Sequence, residues 1–207
     1  MKNYDEDIVK AGNLYKARTF GNIFEGITLR EELIEFEFHK IFDGKINIYL
    51  PKSFIDMPQN LRELKYPMNS RPQIIKTNAS GDVNFCFNLL KEEVKQEDLK
   101  RFTEQMRKII KSVQTAAVMY DVFYVNEAGK YGGTSMQTTE HIEGRKNMSI
   151  FDYKLPAIDE PLYYYMVFIP IGEELFQAIF SCCYKDAENW KLVFEQIADQ
   201  IRVYEEM

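Results

Sequence analysis

The sequence predicts an α+β protein, an α/β/α sandwich built on a mainly antiparallel sheet with a central amphipathic helix and a C-terminal helix. Three observations lead there. Of 207 residues, 45% are hydrophobic and 14% aromatic, enough for a continuous core and biased toward rings that pack well on a pleated surface. Alternating apolar runs recur between turn-forming residues along much of the chain. Two segments, one central and one C-terminal, instead space their apolar residues three and four apart.

Residues 1–30 carry scattered apolar positions (Ile8, Leu14, Phe20, Ile23) with no sustained period. They are expected to form a flexible arm ahead of a single domain over residues 31–207. From Leu33 the apolar positions Ile34, Phe36 and Phe38 alternate with Glu35, Glu37 and His39. Asp43-Gly44 and the alternating Ile46, Ile48 and Leu50 follow, which completes a β-hairpin signature. Pro51, Pro58, Pro67 and Pro72 then forbid a long strand and predict an ordered loop with a short helical turn. A second hairpin is expected from 73–77 and 83–90 around Asn78-Ala79-Ser80-Gly81.

Between Gln96 and Val113, the positions Leu99, Phe102, Met106, Ile109, Ile110 and Val113 form the apolar stripe of the central helix. Strands are predicted at 115–125, 134–141, 149–155, 162–169 and 174–183, with a Gly-containing turn at 126–133. Ala187, Trp190, Val193, Phe194, Ile197, Ala198, Ile201 and Tyr204 give the closing helix its stripe, with Asp186 placed to cap it.

Charge narrows the function. The net charge of -6 argues against nucleic-acid binding, which needs a basic face to release counterions; the basic cluster Arg101, Arg107, Lys108 and Lys111 is interleaved with acids and reads as a solvated helix face. No long uncharged apolar run is present, and the acidic start MKNYDEDIVKAGNLYK differs from a secretory leader. The expectation is a cytoplasmic protein without membrane insertion. Three cysteines, with Cys182 and Cys183 adjacent, fit reduced and mostly buried thiols.

The segment Gly44-Lys45-Ile46-Asn47-Ile48-Tyr49-Leu50-Pro51-Lys52-Ser53-Phe54, a strand running into a Leu-Pro-x-x-Phe corner, resembles the start of the PsbP-like superfamily. That group includes the photosystem subunit PsbP, the Ran-release factor Mog and DcrB-like bacterial proteins. The similarity lies in the order of elements over positions 42 to 204, up to the Trp-bearing final helix. It implies a non-catalytic module that binds or assists other proteins. The photosystem members' plastid targeting has no counterpart here, and the arm and the strand at 33–42 depart from the family outline.

Residues able to carry chemistry are few. His39 and His141 lack metal-ligand spacing, no Cys-x-x-Cys occurs, and neither a metal nor a cofactor is expected. No Gly-x-Ser-x-Gly elbow is present, and Gly129-Lys130-Tyr131-Gly132-Gly133 lacks the ending of a phosphate loop. Asp152, Asp159 and Glu160 read as surface-loop carboxylates unless the fold converges them.

Tyr163, Tyr164 and Tyr165, followed by Met166, Val167 and Phe168, put rings on both faces of one strand. Either helices cover both faces, or Tyr163, Tyr165 and Phe168, joined by Tyr131, present an aromatic protein interface. The sequence therefore points to a protein-binding module of the chaperone, adaptor or immunity-like kind, steering a basic partner by its charge. The alternative is a small-ligand-binding protein or enzyme with a pocket between the sheet and the 51–72 loop, using Cys86, His141 or Tyr131. A homodimer through edge-strand pairing is a third expectation.

Overall fold

The computed structural model describes residues 21–29, 31–67, 71–126, 129–131, 137–138 and 147–204. In chain order the strands are β1 (Ile27–Leu29), β2 (Glu32–Ile34), β3 (Phe36–Ile41), β4 (Ile46–Pro51), β5 (Ile55–Asp56), β6 (Ile74–Thr77), β7 (Asn84–Leu90), β8 (Val118–Asn126), β9 (Gly129–Tyr131), β10 (Gln137–Thr138), β11 (Met148–Leu155), β12 (Leu162–Ile171), β13 (Glu174–Cys183) and β14 (Arg202–Val203). The helices are α1 (Gln59–Lys65), α2 (Leu99–Val113) and α3 (Ala187–Asp199). Among the described residues, nine strands form one antiparallel sheet in the order β10-β9-β8-β11-β12-β13-β7-β6-β5.

The period of two along β7, β12 and β13 sends one set of side chains to each face. Phe85, Phe87, Tyr163, Tyr165, Val167, Phe176, Ala178 and Phe180 face α3 and a small sheet of order β14-β4-β3, forming the main core with Ile46, Ile48 and Leu50. Met166 and Phe168, with Phe151 and Tyr153 of β11, face α2. A third cluster, Met57, Ile75 and Cys86, lies with Leu61 and Tyr66 around α1. The result is a helix layer, a sheet, and a mixed layer of helix and small sheet.

Helix α3 buries Ala187, Trp190, Val193, Phe194, Ile197 and Ala198, and each large apolar chain so buried contributes about 1.5–3 kcal/mol. Helix α2 is held more lightly, burying Leu99 and Thr103. The Thr103 hydroxyl lies 2.7 Å from both the Leu99 carbonyl and the Ser149 hydroxyl. Arg107 of α2 donates to the Tyr120 carbonyl at 2.9 Å. That carbonyl belongs to a bulge in which Tyr120 and Asp121 together oppose Asp152, because the register slips between the pairs Phe151–Val122 and Tyr153–Met119.

Several expectations change. Ile23, Ile27 and Leu29 are buried in the main core, so the part of the predicted arm over residues 21–29 belongs to the domain; residues 1–20 lie outside the described residues. The expected strand at 33–42 divides at Glu35, because β2 pairs with β1 while β3 pairs with β4. The stripe expected to continue the last helix to Tyr204 stops at Asp199, and Val203 instead pairs with Ile46. Asp186 precedes α3 without a side-chain capping bond, since a 3₁₀ turn (Tyr184–Asp186) leads into the helix and gives Asp186 helical backbone angles.

Tyr163, Tyr165 and Phe168 do not form an exposed interface. All three are buried, two under α3 and one under α2. The side chain of Tyr131 and all of His141 lie outside the described residues.

Candidate functional site

A concavity of about 970 Å3 lies between the sheet and α1. Its walls come from four stretches of the sequence. Leu64, Lys65 and Tyr66 close α1; Asp82 and Asn84 open β7; and Ala157 to Glu160 form the β11–β12 loop. Tyr164, Ser181 and Cys183 supply the sheet surface, and Lys185 and Asp186 the turn before α3.

Local chemistry fixes each wall. Pro58 precedes the first residue of α1 and Tyr66, ahead of Pro67, leaves helical angles at its end, as a residue before proline must. The short helix is then tied down by polar contacts. Arg62 donates to the Pro72 carbonyl and Arg71 to the Tyr66 carbonyl, each at 2.7 Å. Lys65 donates to the Gly81 carbonyl, and the Tyr66 hydroxyl meets the Cys86 thiol at 3.2 Å. Gly81 turns with φ +77, the left-handed region that glycine enters without a Cβ clash. Opposite, Pro156 and Pro161 bracket the loop; the Tyr184 amide holds the Pro161 carbonyl at 2.8 Å and Lys185 pairs with Glu160 at 2.6 Å.

The concavity is acidic. Asp82, Asp159, Glu160 and Asp186 face two lysines, and both lysines are already engaged. Two large apolar chains stand exposed beside these carboxylates, Leu64 on α1 at 77% and Ile158 on the loop at 102%. Cys183 is half-buried in the groove. Burial raises its pKa first, and Glu160 and Asp82 add to the rise against Lys185 and Lys65. Its thiol therefore stays protonated and is a poor nucleophile near neutrality.

Cys86 does not line the groove. It is buried beneath Tyr66, where burial pushes its thiol up to about 11, and the same burial raises the Tyr66 hydroxyl above its ordinary value. Among the described residues, no group of three or more His, Cys, Asp or Glu is arranged to hold a metal. His39 pairs with Glu37 at 3.0 Å on β3, far along the chain from the groove. No described helix is long and apolar enough to cross a membrane. A second concavity of about 800 Å3 at the β12–β13 turn is lined by Lys45, Lys91, Glu93, Glu173 and Glu174 with Ile171 and Gly172; it has no aromatic wall, and Lys45 and Glu174 pair at 2.7 Å.

One residue read from sequence as a surface carboxylate is not one. Asp152 is 2% exposed, with the Tyr163 hydroxyl at 2.6 Å and the Lys191 ammonium at 2.8 Å on its Oδ2. Period two carries it to the face under α3, where Lys191 of that helix reaches it. The available signal was its place as the one acid among Ile150, Phe151 and Tyr153. Asp159 is exposed and Glu160 half-buried in the loop, and they do not converge with Asp152.

This architecture shares the α/β sandwich fold of cyanobacterial PsbP, with the same general order of layers about one sheet. Cyanobacterial PsbP (CyanoP) from Synechocystis sp. PCC 6803 superposes with a TM-score of 0.58 at 10% identity, covering 86% of this chain and 98% of that one. Also similar are the Saccharomyces cerevisiae Ran-binding protein Mog1p (TM-score 0.48, 11% identity, 82% and 96% of the chains) and PA94 of Pseudomonas aeruginosa, a protein of unknown function (0.42, 10%, 83% and 99%). No protein-family model and no curated protein matches the sequence.

Proposed function

We propose that the protein is a non-catalytic protein-binding module, acting as chaperone, adaptor or immunity-like protein, and that the acidic groove takes a basic segment of its partner. The observation that carries this reading is the pair of exposed apolar chains, Leu64 and Ile158, standing beside four carboxylates. Exposed apolar surface next to focused charge supplies anchor and steering together. A lysine or arginine flanked by apolar residues satisfies both. The net charge of -6 speeds encounter with such a partner, and three free cysteines fit a reducing, cytoplasmic setting.

Calorimetric titration with short peptides carrying Arg or Lys between leucines tests this. Binding is expected to weaken about tenfold for Leu64→Asp or Ile158→Asp, and to weaken further as salt rises. Equal affinity for acidic peptides, or indifference to both substitutions, contradicts it. A second reading rests on the volume of about 970 Å3 and on Tyr66 and Tyr164 in its walls: a small ligand. Saturable thermal stabilisation by a metabolite, with no peptide binding, selects that reading.

A further inference from the structure

A surface away from the groove, the edge of the small sheet, is shaped to receive another chain. Strand β3 is the last strand of the small sheet, in the order β14-β4-β3, and among the described residues nothing pairs with its outer edge. Its six residues pair with β4 without a bulge and contain no proline. Such an edge presents open backbone donors and acceptors, and most proteins blunt it. Here the outward face carries one blunting charge, the exposed Lys40, beside an apolar patch in which Phe38, exposed at 49%, packs edge-on against Tyr49 (ring centroids 5.5 Å), which in turn meets the exposed Phe24 at 5.4 Å.

We propose that β3 pairs antiparallel with β3 of a second copy, centred on Phe38, so that the two small sheets become one. The side chains select this register. Glu37 and His39 share the face of Ile48 and Leu50, while Phe36, Phe38 and Lys40 share the face of Tyr49. With Phe38 on the two-fold axis, Glu37 of each copy lies opposite His39 of the other, the two Phe38 rings meet beside Tyr49, and Lys40, whose aliphatic stem can lie along a ring, falls opposite Phe36 at the strand ends.

Other registers fail. Centring on Glu37 sets two carboxylates opposite each other, and centring on His39 leaves Glu37 opposite Ile41. A shift of one residue turns the core face of one sheet against the outer face of the other. The inward charges that guard an edge against strangers are thus complementary to themselves about one axis, as an isologous interface requires. A six-residue edge and a small aromatic patch cover less than the roughly 1,200–2,000 Å2 of a stable complex, so the dimer is weak and concentration-dependent.

Sedimentation of the full chain is expected to show a mass rising toward twice 24.5 kDa as concentration approaches the millimolar range. Phe38→Asp is expected to remain at the single-chain mass. Phe38→Cys provides a readout of register, because residues directly opposite in an antiparallel pair have Cα atoms close enough for a disulfide. In a Cys183→Ser background it is expected to crosslink under mild oxidation at least about tenfold faster than Glu37→Cys, which faces His39. A single-chain mass at every concentration, a dimer that survives Phe38→Asp, or equal crosslinking at the two positions overturns the proposal. Phe38 and Glu37 lie outside the groove, and the Cys183→Ser background is confined to the crosslinking assay, so failure here leaves the peptide titration, made on the unaltered chain, unaffected.

Discussion

Asp152 keeps a carboxylate inside the protein, and its stability there depends on Tyr163 and Lys191. Its Oδ1 and the hydroxyl of Tyr165 are buried with no hydrogen-bond partner among the described residues, so the local cluster has little margin. Lys191→Met leaves the carboxylate without its ammonium. The expected loss is about 3 kcal/mol, at the low end for broken buried pairs because Lys191 is part-exposed, measured as a lower urea midpoint with unchanged slope.

The buried thiols set a pH dependence of definite sign. Burial raises Cys86 from 9.0 to about 11 and Cys182 from 9.0 to about 12, the latter with a contribution from Cys183. Both groups bind protons more tightly folded than unfolded, so their stabilising effect is complete below pH 9 and is lost as pH rises through 11 and 12. Denaturation series from pH 8 upward should show falling stability, and Cys86→Ala with Cys182→Ala should flatten the fall. At this scale the sequence shows which residue types exist but not which meet. Asp152 and Lys191 are 39 positions apart, and a single strand pattern says nothing of the helix above it.

Helix α1 is the element on which the groove depends, and it buries none of its own residues. Side-chain contacts to carbonyls hold it, among them Lys65 to the Gly81 turn. Gly81→Ala imposes a Cβ at φ +77 and 3.2 Å from Leu61 Cδ2. The expected cost is about 1 kcal/mol or more, with faster amide exchange in α1 than in α3. Equal protection of the two helices in the variant contradicts that role.

Hairpins β3–β4 and β6–β7 and helix α2 were legible because their patterns are local: alternation, turn residues and a stripe. At the first turn Phe42 joins Asp43 and Gly44 at positive φ, a conformation a bulky residue holds only when packing compensates, and its ring meets Phe176 at 6.2 Å. That contact was not legible. Nor was β14, two residues long, whose pairing with β4 is decided by tertiary proximity rather than by its own pattern.

Taken whole, the molecule packs aromatic residues on both faces of the large sheet, and Phe85 sits in the group under α3. Phe85 meets Phe54, Phe180, Trp190 and Phe194 with ring centroids 4.8–6.4 Å apart. Phe85→Ala is expected to cost about 3–5 kcal/mol and to red-shift the emission of Trp190, the single tryptophan. The sandwich class was legible at this scale because composition and element order constrain layers. A pocket between the sheet and the 51–72 segment was expected only for the small-ligand alternative, with Cys86, His141 or Tyr131 in it; the walls of the groove found there were not legible, since Leu64, Asp82, Ile158 and Lys185 converge only after folding.

The proposed function requires a partner protein to sit in this groove, with Leu64 and Ile158 on its walls. A photo-crosslinking side chain placed at Ile158, in the cell that makes the protein, measures this directly. One discrete adduct is expected, lost when Asp82 and Glu160 are replaced by lysine, with none from the same probe at Ile55, which is exposed outside the groove. Adducts of equal yield at both positions, or an adduct indifferent to the charge reversal, would contradict it.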